Sequence, residues 1–553
     1  METRYQDIHD FITRQEIAFN LPIEIISGWE WSMKEHIRTS LFYKFGRLLT
    51  GNSDNKPVKN ITRPILNLAY RAEDIDLKDI QIYVDDSEKY HLSFLIKKYH
   101  DDVFVRENDL DTFFDEAKEE KIDFGGALVQ KVKGARPQKV PLQSIVFCDQ
   151  TDILSGPIGV KLFFSPDELK AMEKVGWGNK KNGATATIDE VILLATNEKK
   201  LDKQSGKDVK TPGKYIEVYQ VSGTLPADFL DDAKDEEDDY VKQLHFTTFY
   251  QNSEGNKQGL TLFRIRDKEA RFKFISRDGI YGRALGYGGA EELFEAQVWT
   301  NYSQIQKKDM LDGASKVIFK TTDENYANRN KIRDMKNMEV TTVAEGKDVS
   351  QLDTTPRSIN LFTNYVSEWE EYAKSVGAAY DPAMGKEPTS GTPFASLQLQ
   401  VSQGLSLHEY RKGKYATFIQ EIYQDWIIPY ISSEITKGVK FISELNAEEM
   451  EYVSDCLVRS EANKFIKSSI LNGQLIDEQQ VEGFKQRVRE EFTRGGTKRF
   501  IEILKDEMKG VTLKVKVNVA GKQKNLALIV DKLTNIFRQI FANPQVLDDP
   551  RAS

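Results

Sequence analysis

Two helical patterns bracket a short mixed segment in the second half of this 553-residue chain, and that arrangement limits its fold more than any other feature. Residues 290–311 place Leu293, Phe294, Ala296, Trp299, Tyr302, Ile305 and Met310 at spacings that align one apolar stripe along a long helix. A glycine-rich turn, Gly286-Tyr287-Gly288-Gly289, precedes it. Residues 358–376 repeat a helical pattern. Residues 316–356, between the two, are mixed, with strand-like stretches at 316–320 and 338–343. Helix, small module and returning helix describe an insertion carried on two stems.

A loop and a longer helix follow. Residues 381–393 contain Pro382, Gly385, Pro388, Gly391 and Pro393, and such a span exceeds the usual connection between helices, which points to function. A helix is expected over 394–433, with Pro429 able to kink or end it. Further helices are expected over 447–472, 477–492, 498–509 and 525–542, and 511–519 alternates as a strand with Val511, Leu513, Val515, Val517 and Val519 on one face. Before the first stem, residues 5–49 read as helical through Ile37, Leu41, Phe45 and Leu48. Two helical stretches are expected between 61 and 119, with 92–99 helical and 79–84 a short strand. After Gly125-Gly126, β-forming residues recur at 127–132, 144–148, 160–164, 188–195, 215–221, 243–250 and 260–265. The fold class is therefore α+β. The polar stretch 197–213 and the acidic run 231–239 read as solvated loops, because like charges at such density repel and stay in water.

Composition removes several classes of function. With 39% hydrophobic and 29% charged residues, wholesale disorder is excluded. A net charge of −9 argues against a protein that wraps nucleic acid by neutralising phosphates, although not against one that lets it pass. No apolar run reaches the roughly 18 residues that span a bilayer, and residues 1–10 lack a basic segment followed by an apolar one, so neither membrane insertion nor secretion is expected. Cys148 and Cys456 form no CxxC, and His9, His36, His91, His100, His245 and His408 form no HExxH, so no metal site is expected. Gly385-Lys386 is followed by Glu387, with Tyr380 where a phosphate-binding loop requires its first glycine. The glycines of 282–289 precede no βαβ unit, and there is no GxSxG. Asp85-Asp86 and Asp101-Asp102 read as loop carboxylates as readily as acid/base pairs. No catalytic residue and no cofactor is assigned, and the chain is not expected to be an enzyme.

The order of these segments, together with Glu370-Glu371-Tyr372-Ala373-Lys374-Ser375-Val376-Gly377-Ala378-Ala379-Tyr380-Asp381-Pro382-Ala383-Met384-Gly385 and then Thr389-Ser390-Gly391-Thr392-Pro393-Phe394, resembles the portal proteins of tailed bacteriophages. The likeness lies in a helix ending at a hydrophobic-glycine turn, a proline, a glycine, a Ser/Thr-rich loop and a long helix. The lysine-rich final strand and Gln523-Lys524-Asn525 are similar to those of crAss-like phage portals. The resemblance implies a wing over residues 1–285, stem helices over 286–312 and 358–378, and a clip over 313–357. It further implies a tunnel loop over 379–393, a long helix and wing return over 394–436, and a crown over 437–553 that continues beyond this chain. It also implies a ring, twelve-fold in the virion, forming the channel for double-stranded DNA at one capsid vertex, without sequence preference, in packaging, retention and ejection. The implied partners are the large terminase subunit, the head-to-tail adaptor and the major capsid protein; the place of action is the virion, and synthesis is in the host bacterial cytoplasm.

On that likeness Lys386, Thr389, Ser390 and Thr392 would line the channel, the alternative being an ordinary surface loop. Trp299, Tyr302, Trp369 and Tyr372 on the stems are candidates for contact between neighbouring subunits, since head-to-tail packing closes into a ring; packing inside the subunit is the alternative. The rival readings are another virion structural protein and a metal-dependent nuclease with dispersed carboxylates.

Overall fold

The computed structural model describes residues 7–46, 57–84, 90–196, 215–230, 239–251, 257–267, 269–315, 318–322, 324, 327, 344–351, 359–381, 383–384, 394–437, 447–472, 477–491 and 513–517. It is an α+β protein. In chain order the helices used below are α1 (Ile8–Phe19), α2 (Met33–Lys44), α3 (Thr62–Ala72), α4 (Tyr90–Tyr99), α5 (Leu110–Phe124), α6 (Ile188–Thr196), α7 (Phe294–Ala314), α8 (Ile359–Val376), α9 (Phe394–Ile422), α10 (Ile428–Lys437) and α11 (Ala447–Leu471). The strands are β1 (Ile23–Ile26), β2 (Trp29–Trp31), β3 (Ile80–Val84), β4 (Gly126–Lys131), β5 (Pro137–Val140), β6 (Ile145–Phe147) and β7 (Ile158–Phe164). They continue with β8 (Ile216–Pro226), β9 (Tyr240–Gln251), β10 (Lys257–Arg266), β11 (Phe272–Ser276), β12 (Phe319–Thr321), β13 (Val349–Gln351) and β14 (Leu513–Val517).

The chain divides into two compact units, one drawn from Met1–Lys34, Tyr70–Gly288 and Ser406–Ser553, the other from Glu35–Ala69 and Gly289–Leu405. In the first unit an antiparallel five-stranded sheet runs β10-β9-β8-β7-β6, and a three-stranded sheet runs β11-β4-β5. The main core lies where β3 and β14, α4, α5, the end of α9, α10 and α11 bring together Ile82, Leu95, Phe114, Ile419, Trp426, Leu457 and Val515. A smaller core packs Ile188 and Val191 of α6 with Trp177 onto Val218 and Leu262 of the large sheet. The second unit contains α7, α8, the two-stranded β12–β13 ladder and an apolar cluster of Ile61, Ile65, Leu293, Ala296, Ala373 and Ala379.

Most expected strands of the β-rich region form, with ends moved by a few residues, and β5 and β11 join them. Residues 188–195, expected as a strand, are instead helix α6. Ile188 and Val191 are buried while Leu193 and Leu194 are exposed, a three-residue repeat that a strand lacks, and Thr187 and Glu190 cap each other reciprocally. The helical start is likewise interrupted: β1 and β2 form a hairpin with Ile23 opposite Trp31, turned by Gly28 at φ +83°. Pro429 does not end the helical backbone, which continues through it in α10 to Lys437. A π-helical turn at Tyr423–Ile427 precedes it, with Ile428 N donating to Tyr423 O.

The strand expected over 511–519 is described as β14, and it pairs antiparallel with β3, Leu513 opposite Val84 and Val517 opposite Ile80. Val515 and Val517 enter the main core beside Ile80 and Ile82. The segment that the resemblance assigns to the crown thus contributes a strand to the same unit as the N-terminal body. In the 316–356 module the strand at 316–320 is displaced to Phe319–Thr321, and 338–343 lies outside the described residues. The helices expected over 498–509 and 525–542 lie outside them as well.

Candidate functional site: an aromatic band on a helix pair

Helices α7 and α8 lie side by side. The Trp299 and Trp369 rings stack with centroids 6.4 Å apart and planes 17° apart, and Lys307 Nζ donates to Thr363 Oγ1 at 3.2 Å, so the pair runs antiparallel. Ala296 of α7 and Ala373 of α8 belong to the same apolar cluster of the unit. On α7 the buried stripe is Ala296, Gln297, Thr300, Asn301 and Ser303; on α8 only Val366 and Ala373 are buried. Small residues at the contact let two helix backbones approach closely. Beyond Ser303 no residue of α7 is buried.

Apart from Ala296, the residues of this α7 stripe were not among those the sequence singled out, which were the apolar and aromatic residues beside it. Gln297 satisfies its whole amide. Its Oε1 accepts from Ile61 N (2.9 Å), Thr62 N (3.2 Å) and Thr62 Oγ1 (3.0 Å), and its Nε2 donates to Lys59 O and Asn301 Oδ1, both at 2.8 Å. It therefore caps the start of α3, whose first amides have no helical acceptor. The sequence signal that would have found this stripe is the recurrence of small and polar residues at 296, 300 and 303, one helical face apart from Trp299 and Tyr302.

All four stem candidates belong to one continuous aromatic band. Trp299 meets Tyr302 edge to face at 5.9 Å, Trp369 meets Tyr365 at 6.0 Å and Tyr372 at 5.5 Å, and the Trp299–Trp369 stack joins the two groups. Trp369 packs partly into the unit's apolar cluster. The others remain open to solvent: Trp299 is 41%, Tyr302 52% and Tyr372 47% exposed. Aromatic pairs of this geometry contribute beyond their buried area, so the rings hold one another in a fixed surface. Packing inside the subunit thus accounts for Trp369 and leaves three large faces uncovered.

The end of α8 is built tightly. Ala379 N donates to Lys374 O at 2.8 Å and Gly377 N to Ala373 O at 2.9 Å, closing the last turn. The left-handed residue is Ala378 at φ +49°, not the glycine before it. Gly377 is needed for a different reason: a Cβ there would lie 2.3 Å from Ile65 Cγ2. Lys374 Nζ then holds Asp381 Oδ1 at 2.7 Å, and Tyr380 O accepts from Ala383 N and Met384 N. Lys386, Thr389, Ser390 and Thr392 lie outside the described residues.

The densest group of buried charge lies in the other unit. Lys121 Nζ bonds Glu73 Oε2 at 2.7 Å with both side chains fully buried, His408 Nδ1 lies 3.3 Å and Arg277 Nη2 3.7 Å from Glu73 Oε1, and Arg411 holds Asp278. Burial pushes the Glu73 carboxyl up, but the His408 hydrogen bond and the Lys121 and Arg277 charges hold it down, to about 2. This is a closed ion-pair network that ties α5 and β11 to α9. Among the described residues no three His, Cys, Asp or Glu side chains are grouped to hold a metal ion, and no helix is long and apolar enough to cross a membrane.

No protein-family model matches the chain, and no curated protein matches it. Among solved structures it is similar to a chain in the neck of a native GTA particle computed with C12 symmetry, at 9% identity and TM-score 0.37, covering 79% of this chain and 97% of that one. It is similar to a chain in the neck of an empty GTA particle computed with C6 symmetry, at 8% identity and TM-score 0.37, covering 80% and 98%. A third likeness is to a chain in the virion of a native gene transfer agent particle, at 9% identity and TM-score 0.32, covering 80% and 98%. At TM-scores this low the likenesses carry no argument.

Proposed function

We propose that this chain is a portal subunit of a tailed phage, one of a ring of copies through which double-stranded DNA enters and leaves a capsid, and not an enzyme. The observation that carries the reading is the aromatic band on the antiparallel α7–α8 pair, where Trp299, Tyr302 and Tyr372 present large exposed ring faces. A helix pair with so little of itself buried in its own chain gains stability from a partner. Aromatic residues are the side chains most enriched at the centres of such contacts. When one copy's band packs on a different face of the next, the contact is heterologous and a fixed rotation closes it into a ring.

In this reading α7 and α8 are the stems, the segment bearing β12–β13 is the clip that docks the large terminase subunit and later the head-to-tail adaptor, and residues 379–393 are the tunnel loop. The major capsid protein surrounds the ring. A conduit has to hold DNA without gripping it. With a net charge of −9 the chain releases few counterions on contact with phosphates, so passing DNA feels no deep, salt-dependent trap. Lys386, Thr389, Ser390 and Thr392 in the loop would then meet the backbone weakly and without reading sequence.

Electron microscopy of the purified protein is the test. A closed ring with a central hole of duplex width supports the reading, and Trp299→Ala combined with Tyr372→Ala should leave the subunit folded while abolishing rings. Monodisperse monomers that cleave DNA when given a divalent metal would overturn it in favour of a nuclease. Deleting residues 389–391 should spare ring assembly and impair DNA packaging or retention; if rings fail to form, the loop is structural.

A further inference from the structure

Among the described residues, the three-stranded sheet β11-β4-β5 leaves one edge of β11 without a strand partner. In the ladder with β4, Lys131 N donates to Arg271 O at 2.8 Å and Arg277 N to Gly125 O at 2.9 Å. Residues 271, 273, 275 and 277 therefore point their amides and carbonyls at β4, and Phe272 and Phe274 point theirs the other way. The other edges of the three- and five-stranded sheets are blunted. β10 is covered by Gly178 N on Leu262 O (2.8 Å) and Thr185 N on Thr261 O (2.9 Å), β5 carries Pro137 and Lys139, and β6 has three residues.

Beside the open edge runs a groove of about 500 Å³, lined along the strand by Phe272, Lys273 and Phe274 and across from it by Leu154, Glu421 and Asp425. Its two sides differ. Phe272 and Phe274 stand on one face of the sheet with Leu128, and Lys273 stands on the other, where Asp425 Oδ2 holds its Nζ at 2.6 Å. The groove's carboxylates face water, Glu269 at 60% and Asp425 at 57% exposure with Glu421 also exposed. Its lysines are more covered, and each is paired with one of those acids.

We propose that this edge is a docking site for an extended segment of another protein, with apolar residues alternating with lysine or arginine, which adds to the sheet as a fourth strand. The backbone groups of Phe272 and Phe274 supply the hydrogen bonds, the Phe272 and Phe274 face takes the apolar side chains, and Glu421 takes the basic ones, with the exposed carboxylates of Asp425 and Glu269, each shared with a lysine of the groove, beside it. The carboxylates that line the groove choose the donor, a basic extended segment of a different protein. The site is independent of ring formation and stands or falls separately from it.

The test uses the full chain and a fluorescein-labelled peptide of alternating valine and lysine, followed by anisotropy. The parent peptide should bind saturably. Of two versions N-methylated on the two alternate sets of amides, one should bind as the parent does and the other should lose about tenfold or more, the loss expected from a missing hydrogen bond. A version with glutamate for lysine should fail. Phe272→Pro removes one outward amide and leaves the β4 ladder intact, so it should weaken binding by about tenfold; Glu421→Lys, a surface change, should weaken the lysine peptide severalfold and carries the same test if the proline variant does not fold. The proposal is overturned if the parent peptide does not bind at millimolar concentration, if both N-methylated versions match it, or if the glutamate version binds equally well.

Discussion

Replacing Glu120 with glutamine should stabilise this protein near pH 8.5 and leave it almost unchanged near pH 4. Glu120 lies on α5 with 5% of its surface exposed; its Oε1 accepts from Leu142 N at 2.8 Å, and its Oε2 is buried without a hydrogen-bond partner. Burial pushes its carboxyl up from 4.5 to about 7; the Leu142 amide and Lys139 of β5 pull down, and Asp123 and Glu116 on its own helix push up. A raised folded-state value means that the native protein prefers the protonated form. The favourable contribution is complete below 4.5 and is lost as pH rises through about 7, above which the folded state carries an uncompensated charge. At about 1.4 kcal/mol per unit, the difference between 4.5 and about 7 amounts to ~3 kcal/mol. Glutamine keeps the acceptor for Leu142 and is never charged, so it removes that penalty. Calorimetric melting of both proteins at the two pH values reads the effect directly: the melting temperatures should nearly coincide near pH 4 and separate by about 3 °C near pH 8.5. A gap of equal size at both values, or a less stable variant near pH 8.5, would refute the argument, because it would mean the carboxylate is already solvated or paired.

Glu73 should behave oppositely: its carboxyl is held down to about 2, so its stabilisation is present above 4.5 and is lost as pH falls towards 2. Glu73→Gln, which takes the carboxylate from the buried Lys121 ammonium, should cost about 3–5 kcal/mol at neutral pH by denaturant titration, and a cost below about 1 kcal/mol would mean that water reaches the site. The two neighbours at the end of α8 should respond with opposite signs. Ala378→Gly relieves a left-handed alanine and should raise stability by about 1 kcal/mol, whereas Gly377→Ala drives a methyl into Ile65 and should lower it.

Much of this molecule is legible locally. Helices α7 and α8, most strands of the β-rich region and the aromatic spacing of Trp299 with Tyr302 and of Trp369 with Tyr372 follow from side-chain periodicity, because a helix or strand exposes its repeat regardless of what covers it. The same logic misjudged 188–195, where a dense apolar run satisfies both periods and only the cap at Thr187 and the burial of Ile188 and Val191 favour the helix. Nothing in the spacing joins Trp299 to Trp369 across two helices, sets Gln297 over the start of α3, or closes Glu73 on Lys121. Nor does anything local pair β14 with β3 across more than four hundred residues. The left-handed turn falls on Ala378 because Gly377 is consumed by its approach to Ile65, a reason visible only in three dimensions. Periodicity and capping depend on neighbours along the chain and so belong to the sequence itself. Partners, burial and the open edge of β11 depend on which distant surfaces exclude water together, and the tertiary structure alone decides that.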